Sequence, residues 1–192
     1  NHQSRIPLAN GTSIPCLGFG TWKTPAEQAK QSVLHALEAG YRHIDTATAY
    51  RNEAAVGEAI ASSGVARGDI FLTSKLWNPD QGYQATLDAF ARSLEWLKTD
   101  YLDLYLIHWP HDPKYFDNWQ EMNRETWRAF EKLYKDGHIR AIGVSNFRPH
   151  HVENLLETCE IKPMVDQVEI HPGMPQTEIL EFCKAHDMVV EG

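Results

Sequence analysis

Strand patterns and helix patterns alternate along the whole of this sequence, and that alternation restricts the possible folds more than any other feature. Short apolar runs at residues 70–74, 101–107 and 139–144 are typical of buried strands. Between such runs, apolar residues recur at helical spacing, as in the series Tyr83, Leu87, Phe90 and Leu94. Alternating strands and helices predict parallel βαβ units. Because no linker or change in composition interrupts the pattern, we expect a single domain across residues 1–192.

Two α/β architectures are built from such units. A doubly wound dinucleotide fold carries GxGxxG in its first strand-to-helix turn, and the corresponding GFGTWK at residues 18–23 lacks the third glycine. The pattern therefore favours a (β/α)8 TIM barrel. A barrel needs eight strands and typically about 250 residues. We expect this chain to cover an N-terminal hairpin around Asn10-Gly11 and about seven of the eight β/α units, with the native protein continuing past Gly192.

Two local signals predict where helices begin. The segment TPAE at residues 24–27 has the pattern of a capping box with proline at the first helical position. Asn52 precedes Glu53 and an apolar stripe that includes Val56 and Ile60, so we expect Asn52 to cap a second helix.

The composition excludes several classes of protein. A net charge of -8 and a pI of about 5.6 argue against a nucleic-acid-binding protein or a partner of anionic membranes. No apolar run reaches the roughly 20 residues of a membrane span, and NHQSRIPLANG lacks the apolar core of a signal peptide. We therefore expect a cytoplasmic protein without membrane or nucleic-acid partners. The cysteines are three in number and far apart, so neither a disulfide framework nor a metal site is expected.

Polar side chains stand at or near the ends of five successive predicted strands. In a barrel, the carboxyl ends of the strands meet at one rim, so residues distant in sequence can form one site. A single Asp, His or Lys at such a place is usually structural or solvated, but the joint pattern favours a functional site. The residues are Asp45, Lys75, His108, Ser145, Asn146 and Gln167.

This set suits proton transfer to a carbonyl oxygen. Lys75 beside Tyr50 would favour the phenolate and lower the pKa of the phenol, while Asp45 would hold the ammonium. Tyr50 would then act as a general acid, and His108 would donate a hydrogen bond to the same oxygen. No nucleophile motif such as GxSxG or HExxH is present. The attacking group is therefore expected to be a hydride from a cofactor.

Five longer segments resemble the aldo-keto reductase family. They are GYRHIDTATAYRNEAAVG at residues 40–57, LTSKLWN at 72–78, DLYLIHWP at 103–110, RAIGVSNF at 140–147 and VDQVEIHP at 165–172. The resemblance extends over essentially the whole sequence. Within the family, the sequence is similar to the compact bacterial members, including those like 2,5-diketogluconate reductase.

The resemblance implies a role for each matching residue. The implied catalytic tetrad is Asp45, Tyr50, Lys75 and His108, with Tyr50 as the proton donor. The implied cofactor-binding residues are Gly20, Thr21, Trp22, Asp45, Ser145, Asn146 and Gln167, of which the last three would hold the nicotinamide carboxamide. The implied substrate-binding residues are Trp22, Tyr50, Trp77, His108 and Trp109. No metal is implied.

The implied function is an NADP(H)-dependent oxidoreductase that reduces aldehydes, ketones or keto-sugars to alcohols. NAD(H) remains open, because the family's adenosine-phosphate segment, eighth strand and stacking aromatic residue would follow Gly192. The expected partner is a small carbonyl or alcohol substrate, and the expected state is a monomer. Two alternatives remain: a non-catalytic, cofactor-sensing regulatory subunit of the same fold, and an inactive truncated product.

Overall fold

An antiparallel hairpin opens the chain in the computed structural model, which describes residues 4–192. The first three residues of the predicted domain lie outside that range. Strands β1 (Arg5–Pro7) and β2 (Ser13–Pro15) pair across a turn in which Gly11 has a φ of +84°. The Asn10 amide donates a 2.9 Å hydrogen bond to the backbone oxygen of Arg140. The predicted hairpin is thereby fixed against the start of one of the sheet strands.

In the described part of the chain, the main sheet has seven parallel strands whose spatial order follows the order of the chain. A doubly wound sheet would instead reverse its strand order part-way, so the architecture is singly wound. The strands are β3 (Phe19–Gly20), β4 (His43–Asp45), β5 (Phe71–Leu76), β6 (Leu102–Ile107), β7 (Ile139–Ser145), β8 (Val165–Gln167) and β9 (Val189–Glu191).

The sheet curls on itself, which is visible in contacts between strands that are not neighbours. Gln167 on β8 donates a 2.7 Å hydrogen bond to Asp45 on β4, although three strands separate them in the sheet. Similarly, Nε2 of His43 on β4 lies 3.8 Å from Oε1 of Glu191 on β9. The concave side of the curled sheet is therefore a narrow interior into which polar side chains from distant strands converge.

Within residues 4–192, six helices connect consecutive strands and cover the outer face. Each is apolar on the side that meets the sheet, as in α4, where Trp127 and Phe130 stack and Phe130 also stacks on Tyr105 of β6. None of the helices in the described range is long and apolar enough to cross a membrane. The helices are α1 (Ala26–Glu38), α2 (Glu53–Ser62), α3 (Tyr83–Leu97), α4 (Trp119–Lys135), α5 (Pro149–Leu156) and α6 (Thr177–Ala185).

Both predicted helix starts are close to their observed positions, but the predicted side-chain caps are absent. Helix α1 begins one residue after Pro25 without a capping hydrogen bond from a side chain, so the capping box was wrong. Asn52 does occupy the N-cap position of α2, yet its side chain does not cap the helix. Its amide nitrogen donates instead to the backbone oxygens of Thr21 and Thr24, at 3.0 and 3.1 Å. Asn52 therefore joins the loop after β3 to α2.

Candidate active site

The carboxyl ends of the strands bring the predicted site residues to one rim of the sheet. Gly20 pairs with Asp45, and Ser145 pairs with Gln167, so neighbouring strands end at the same level. Lys75 lies near the end of β5. His108 directly follows the last residue of β6. The register of the parallel sheet therefore places residues from six strands around one opening.

Lys75 is the centre of the site. Its side chain is fully buried, and the ammonium donates hydrogen bonds to the Asp45 carboxylate, to the Thr46 backbone oxygen at 3.1 Å and to the Tyr50 hydroxyl at 3.3 Å. Burial lowers the pKa of Lys75, but the Asp45 carboxylate and Tyr50 outweigh it and raise that pKa above its usual value. The ammonium is therefore charged and all three of its protons are engaged.

Asp45 is held at both of its carboxylate oxygens. One oxygen accepts from Lys75, and the other accepts from the Gln167 amide at 2.7 Å. A carboxylate with two such donors cannot rotate without breaking one of the bonds. Asp45 consequently fixes the direction in which the Lys75 ammonium points.

Tyr50 ends a short 3₁₀ turn, Thr48–Tyr50, that lies between β4 and α2. Burial raises the pKa of its phenol above the usual value, and Asp45 adds to that rise, while Lys75 opposes it. The expectation of a lowered phenol pKa was therefore wrong in direction, because the loss of water around the ring outweighs the nearby ammonium. As a result Tyr50 carries its proton at neutral pH, which is the state a proton donor requires.

His108 contributes a neutral imidazole beside Tyr50. The two rings meet edge to face with centroids 5.6 Å apart, and the Trp77 ring lies 5.3 Å from the imidazole on another side. Burial, followed by the charge on Lys75, lowers the pKa of His108 to about 4. Its buried Nδ1 has no hydrogen-bond partner among residues 4–192. A neutral ring donates from a single nitrogen, so His108 can supply one hydrogen bond.

Three further side chains with amide or hydroxyl groups line the opening, those of Ser145, Asn146 and Gln167. Ser145 donates to the backbone oxygen of Gln167 at 2.8 Å. The Asn146 amide nitrogen donates to the His108 backbone oxygen at 3.0 Å and to Ser145 Oγ at 3.2 Å. Their donors are thus used within the protein. Within the described residues, the side-chain oxygens Asn146 Oδ1 and Gln167 Oε1 accept no hydrogen bond, so they are free acceptors.

A cavity of about 770 Å³ connects most of these groups. The tryptophans Trp22, Trp77 and Trp109 form much of its wall, and Trp22 is 67% exposed at its mouth. Further lining residues are Tyr50, His108, Ser145, Asn146 and Gln167. Gly20 instead lines an adjoining cavity of about 340 Å³ together with Asp45, Tyr50 and Gln167.

Thr21, like Lys75, is a predicted site residue that lines neither cavity. It is fully buried, and its hydroxyl donates to the backbone oxygen of Asp45 at 3.2 Å. Its contribution to the site is therefore the fixation of the strand end that carries Asp45.

Glu191, which was not predicted from the sequence, lines the 340 Å³ cavity together with Asp45 and Tyr50. Glu191 pairs with Gln167 in the sheet, and burial, with the added effect of Asp45, raises the pKa of its carboxyl to about 7. The potential metal-ligand atoms of three side chains lie within 4.8 Å of one another, those of His43, Asp45 and Glu191. Both oxygens of Asp45 are already engaged, so we assign no metal to this group. Glu191 stands at the carboxyl end of a strand, as several predicted site residues do, and that position was the signal that could have identified it.

Known proteins share both the sequence and the fold of this chain. Residues 16–191 match the sequence profile of the Aldo/keto reductase family. The chain belongs to this family. It is 54% identical over 187 residues to the glyoxal reductase of Bacillus subtilis, a match covering 97% of this chain and 65% of that protein. The family predicted from the five segments is thus confirmed.

Solved structures of aldo-keto reductases superpose closely on the chain. An aldo/keto reductase from Brucella melitensis has a TM-score of 0.94 at 49% identity, covering 99% of this chain and 70% of that one. An aldo-keto reductase from Bombyx mori in complex with NADP has a TM-score of 0.87 at 34% identity, covering 99% of this chain and 66% of the other. The chain therefore spans about two thirds of the length of these relatives.

Proposed function

We propose that this chain carries the catalytic core of an NADP(H)-dependent oxidoreductase that reduces small aldehydes, ketones or keto-sugars to alcohols. The observation that supports this most directly is the buried Lys75, which donates hydrogen bonds to Asp45 and to Tyr50, and Tyr50 lies on the wall of the 770 Å³ cavity. A protonated phenol held by an ammonium is suited to donate a proton and to become a stabilised phenolate. The relatives named above are reductases, which agrees with this proposal.

The residues on the rim fit a nicotinamide cofactor. A carboxamide NH₂ needs acceptors, and Asn146 and Gln167 offer free amide oxygens on the cavity wall. Ser145 would complete this set, and Gly20 and Trp22 would lie along the cofactor, with NADP the cofactor named for the Bombyx mori relative. When bound, a reduced nicotinamide supplies a hydride to the carbonyl carbon of the substrate.

The chain's own residues would manage the proton. As negative charge develops on the carbonyl oxygen, Tyr50 donates its proton there and His108 donates a hydrogen bond that orients the same oxygen. The Lys75 ammonium, kept in place by Asp45, stabilises the phenolate that remains. Solvent then returns a proton to Tyr50. In the oxidation of an alcohol, the same groups would act in reverse.

The shape of the cavity supports small substrates. Trp22, Trp77 and Trp109 offer flat apolar walls, while Tyr50 and His108 supply the polar groups. The glyoxal reductase relative is named for a small dicarbonyl compound.

We also propose that residues 1–192 form one domain. The curled sheet would belong to a (β/α)8 barrel, and the protein would act as a cytoplasmic monomer.

An assay of NADPH consumption tests the proposed function. The protein is mixed with NADPH or NADH and a panel that includes glyoxal, an aromatic aldehyde, a simple ketone and a keto-sugar. Loss of NADPH absorbance with at least one carbonyl compound, and a matching alcohol product, is the expected result. Tight NADPH binding without turnover on any compound would support the cofactor-sensing alternative. Absence of both would contradict the proposed function.

A further inference from the structure

A second buried acid, Glu53, lies behind the active site and is not used in the chemistry above. It is the first residue of α2, three positions after Tyr50, and is only 3% exposed. Its Oε2 accepts a 2.8 Å hydrogen bond from Ser74, and its Oε1 accepts a 3.2 Å hydrogen bond from Ser93. These hydroxyls belong to β5 and α3, so the carboxylate connects three elements of secondary structure.

Both partners of Glu53 contact or belong to the segments that carry Lys75 and Tyr50. Ser74 precedes Lys75 on β5, and because side chains alternate along a strand, it points away from the interior that Lys75 occupies. The Ser93 hydroxyl also lies 3.2 Å from the hydroxyl of Thr48, the first residue of the turn that ends at Tyr50. Glu53 therefore joins the turn that carries the proton donor to the strand that carries its ammonium partner.

Lys75 and His108 hold the Tyr50 side chain, but the backbone of the turn needs further contacts to fix it. Its own backbone hydrogen bonds are local, from Tyr50 to Ala47 and from Arg51 to Thr48. Arg51, which follows Tyr50, has a φ of +56°, in a region that non-glycine residues seldom occupy. Such a conformation persists only when surrounding contacts impose it. The hydrogen bonds through Ser93 and Thr48 are contacts of this kind.

Burying the charged carboxylate of Glu53 costs the folded state free energy. Burial raises the pKa of its carboxyl, although the hydroxyls of Ser74 and Ser93 oppose that rise. A carboxyl with a raised pKa in the folded state binds its proton more tightly than in the unfolded state, so its contribution to stability declines as the pH rises towards neutrality. A gain in stability alone would not explain a charged group at this position, which suggests a role in the site.

We propose that Glu53 is a positioning residue that holds Tyr50 at hydrogen-bonding distance from Lys75. This inference rests on the proposed reductase function. Through Ser93 and Thr48 the carboxylate fixes the turn, and through Ser74 it fixes β5, so the Tyr50 hydroxyl stays 3.3 Å from the ammonium. The carboxylate of Glu53 is bonded to the two serines and does not contact the cavity where the carbonyl compound would bind.

The test compares Glu53→Ala with Glu58→Ala in the full-length protein. Glu58 lies on the same helix but is exposed, where it pairs with Lys30 at 3.7 Å. For Glu53→Ala we expect kcat to fall about tenfold or more, since small misplacements of reacting groups can cost about 100-fold. KM and the NADPH dissociation constant should change by less than about twofold, because Glu53 binds neither ligand. Glu58→Ala should match the wild type.

Thr48→Val provides a variant that is expected to fold even if Glu53→Ala does not, because Thr48 is only half-buried and valine has nearly the same shape. It removes the hydroxyl bonded to Ser93, and kcat should fall about threefold or more with KM unchanged. In the double variant Glu53→Ala with Thr48→Val, the loss should be little larger than for Glu53→Ala alone, because residues in one network are not additive.

The outcomes separate this inference from the proposed function. If the wild type and Glu58→Ala show no NADPH-dependent reduction of any carbonyl compound, the proposed function fails. If both are active and the Thr48→Val variant and a folded Glu53→Ala variant keep wild-type kcat, the positioning role of Glu53 is wrong. Losses that multiply fully in the double variant would also overturn it.

Discussion

Lys75 shows how burial and charge together set the protonation states of this site. Its ammonium is fully buried yet keeps a raised pKa, because the Asp45 carboxylate lies within hydrogen-bonding distance. The same ammonium lowers the pKa of His108, after the larger effect of burial, and partly offsets the raised pKa of Tyr50. Burial, supported at His108 by the Lys75 charge, thus keeps a neutral imidazole beside a protonated phenol. This combination provides two hydrogen-bond donors for one carbonyl oxygen.

The neutral state of His108 gives a prediction about pH. Because its pKa is about 4, the imidazole stays uncharged across the neutral range and protonates only in acid. We expect kcat for carbonyl reduction to show no inflection from this residue near the usual histidine pKa of about 6.5. Its contribution to stability has the matching sign: it is complete above about pH 6.5 and is lost as the pH falls towards 4.

Initial rates at saturating NADPH, measured from about pH 5.5 to pH 8, check this expectation. His108→Gln serves as the comparison, since glutamine can donate a hydrogen bond but does not titrate. An inflection near pH 6.5 that is present in the wild type and absent from His108→Gln would show that the imidazole is charged in the working range.

At the scale of elements, the helices α2 and α3 approach closely at a glycine. A β-carbon added at Gly57 would lie 2.5 Å from the backbone oxygen of Trp96 and 2.7 Å from the carbonyl carbon of Leu97. Backbone atoms cannot move aside as the end of a side chain can. This contact keeps α2, and with it the Tyr50 turn and Glu53, close to Ser93 on α3.

We therefore expect Gly57→Ala to destabilise the protein. Alanine is better than glycine in a helix by about 1 kcal/mol. Overpacking against backbone costs about 1–3 kcal/mol, so the net effect should be a loss of free energy of unfolding. Chemical denaturation measures it, with Gly68→Ala as the control, because a β-carbon at Gly68 meets nothing within 4 Å. A stability of Gly57→Ala equal to or above that of the control would contradict the close approach.

The elements themselves were largely predictable from sequence, whereas some of their local chemistry was not. Apolar periodicity is sufficient to locate α3 and β6, because burial determines both. The side chain of Asn52 has the composition of a helix cap, but tertiary partners at Thr21 and Thr24 compete for its amide. No local pattern reveals that competition, since the partners are 28 or more residues away.

At the scale of the whole molecule, curling of the parallel sheet converts a series of strand ends into one site. Asp45 and Gln167 are 122 residues apart in sequence, yet they share a hydrogen bond across the interior. The residue types at strand ends predicted which side chains would meet, and the structure brings Asp45, Tyr50, Lys75 and His108 together. The sequence did not predict that Gln167 would bind Asp45, nor that burial would raise the pKa of Tyr50. Both depend on how tightly the sheet curls.

Proton donation by Tyr50 is tested by measuring kcat of Tyr50→Phe. The change removes the hydroxyl while Lys75 keeps its bonds to Asp45 and to the Thr46 backbone oxygen. Tyr115→Phe is the matched control, since Tyr115 is 68% exposed and lies outside the site. We predict that kcat falls by about 100-fold or more, the usual contribution of a general acid, while NADPH binds as in the wild type. Turnover near that of Tyr115→Phe would contradict proton donation by Tyr50.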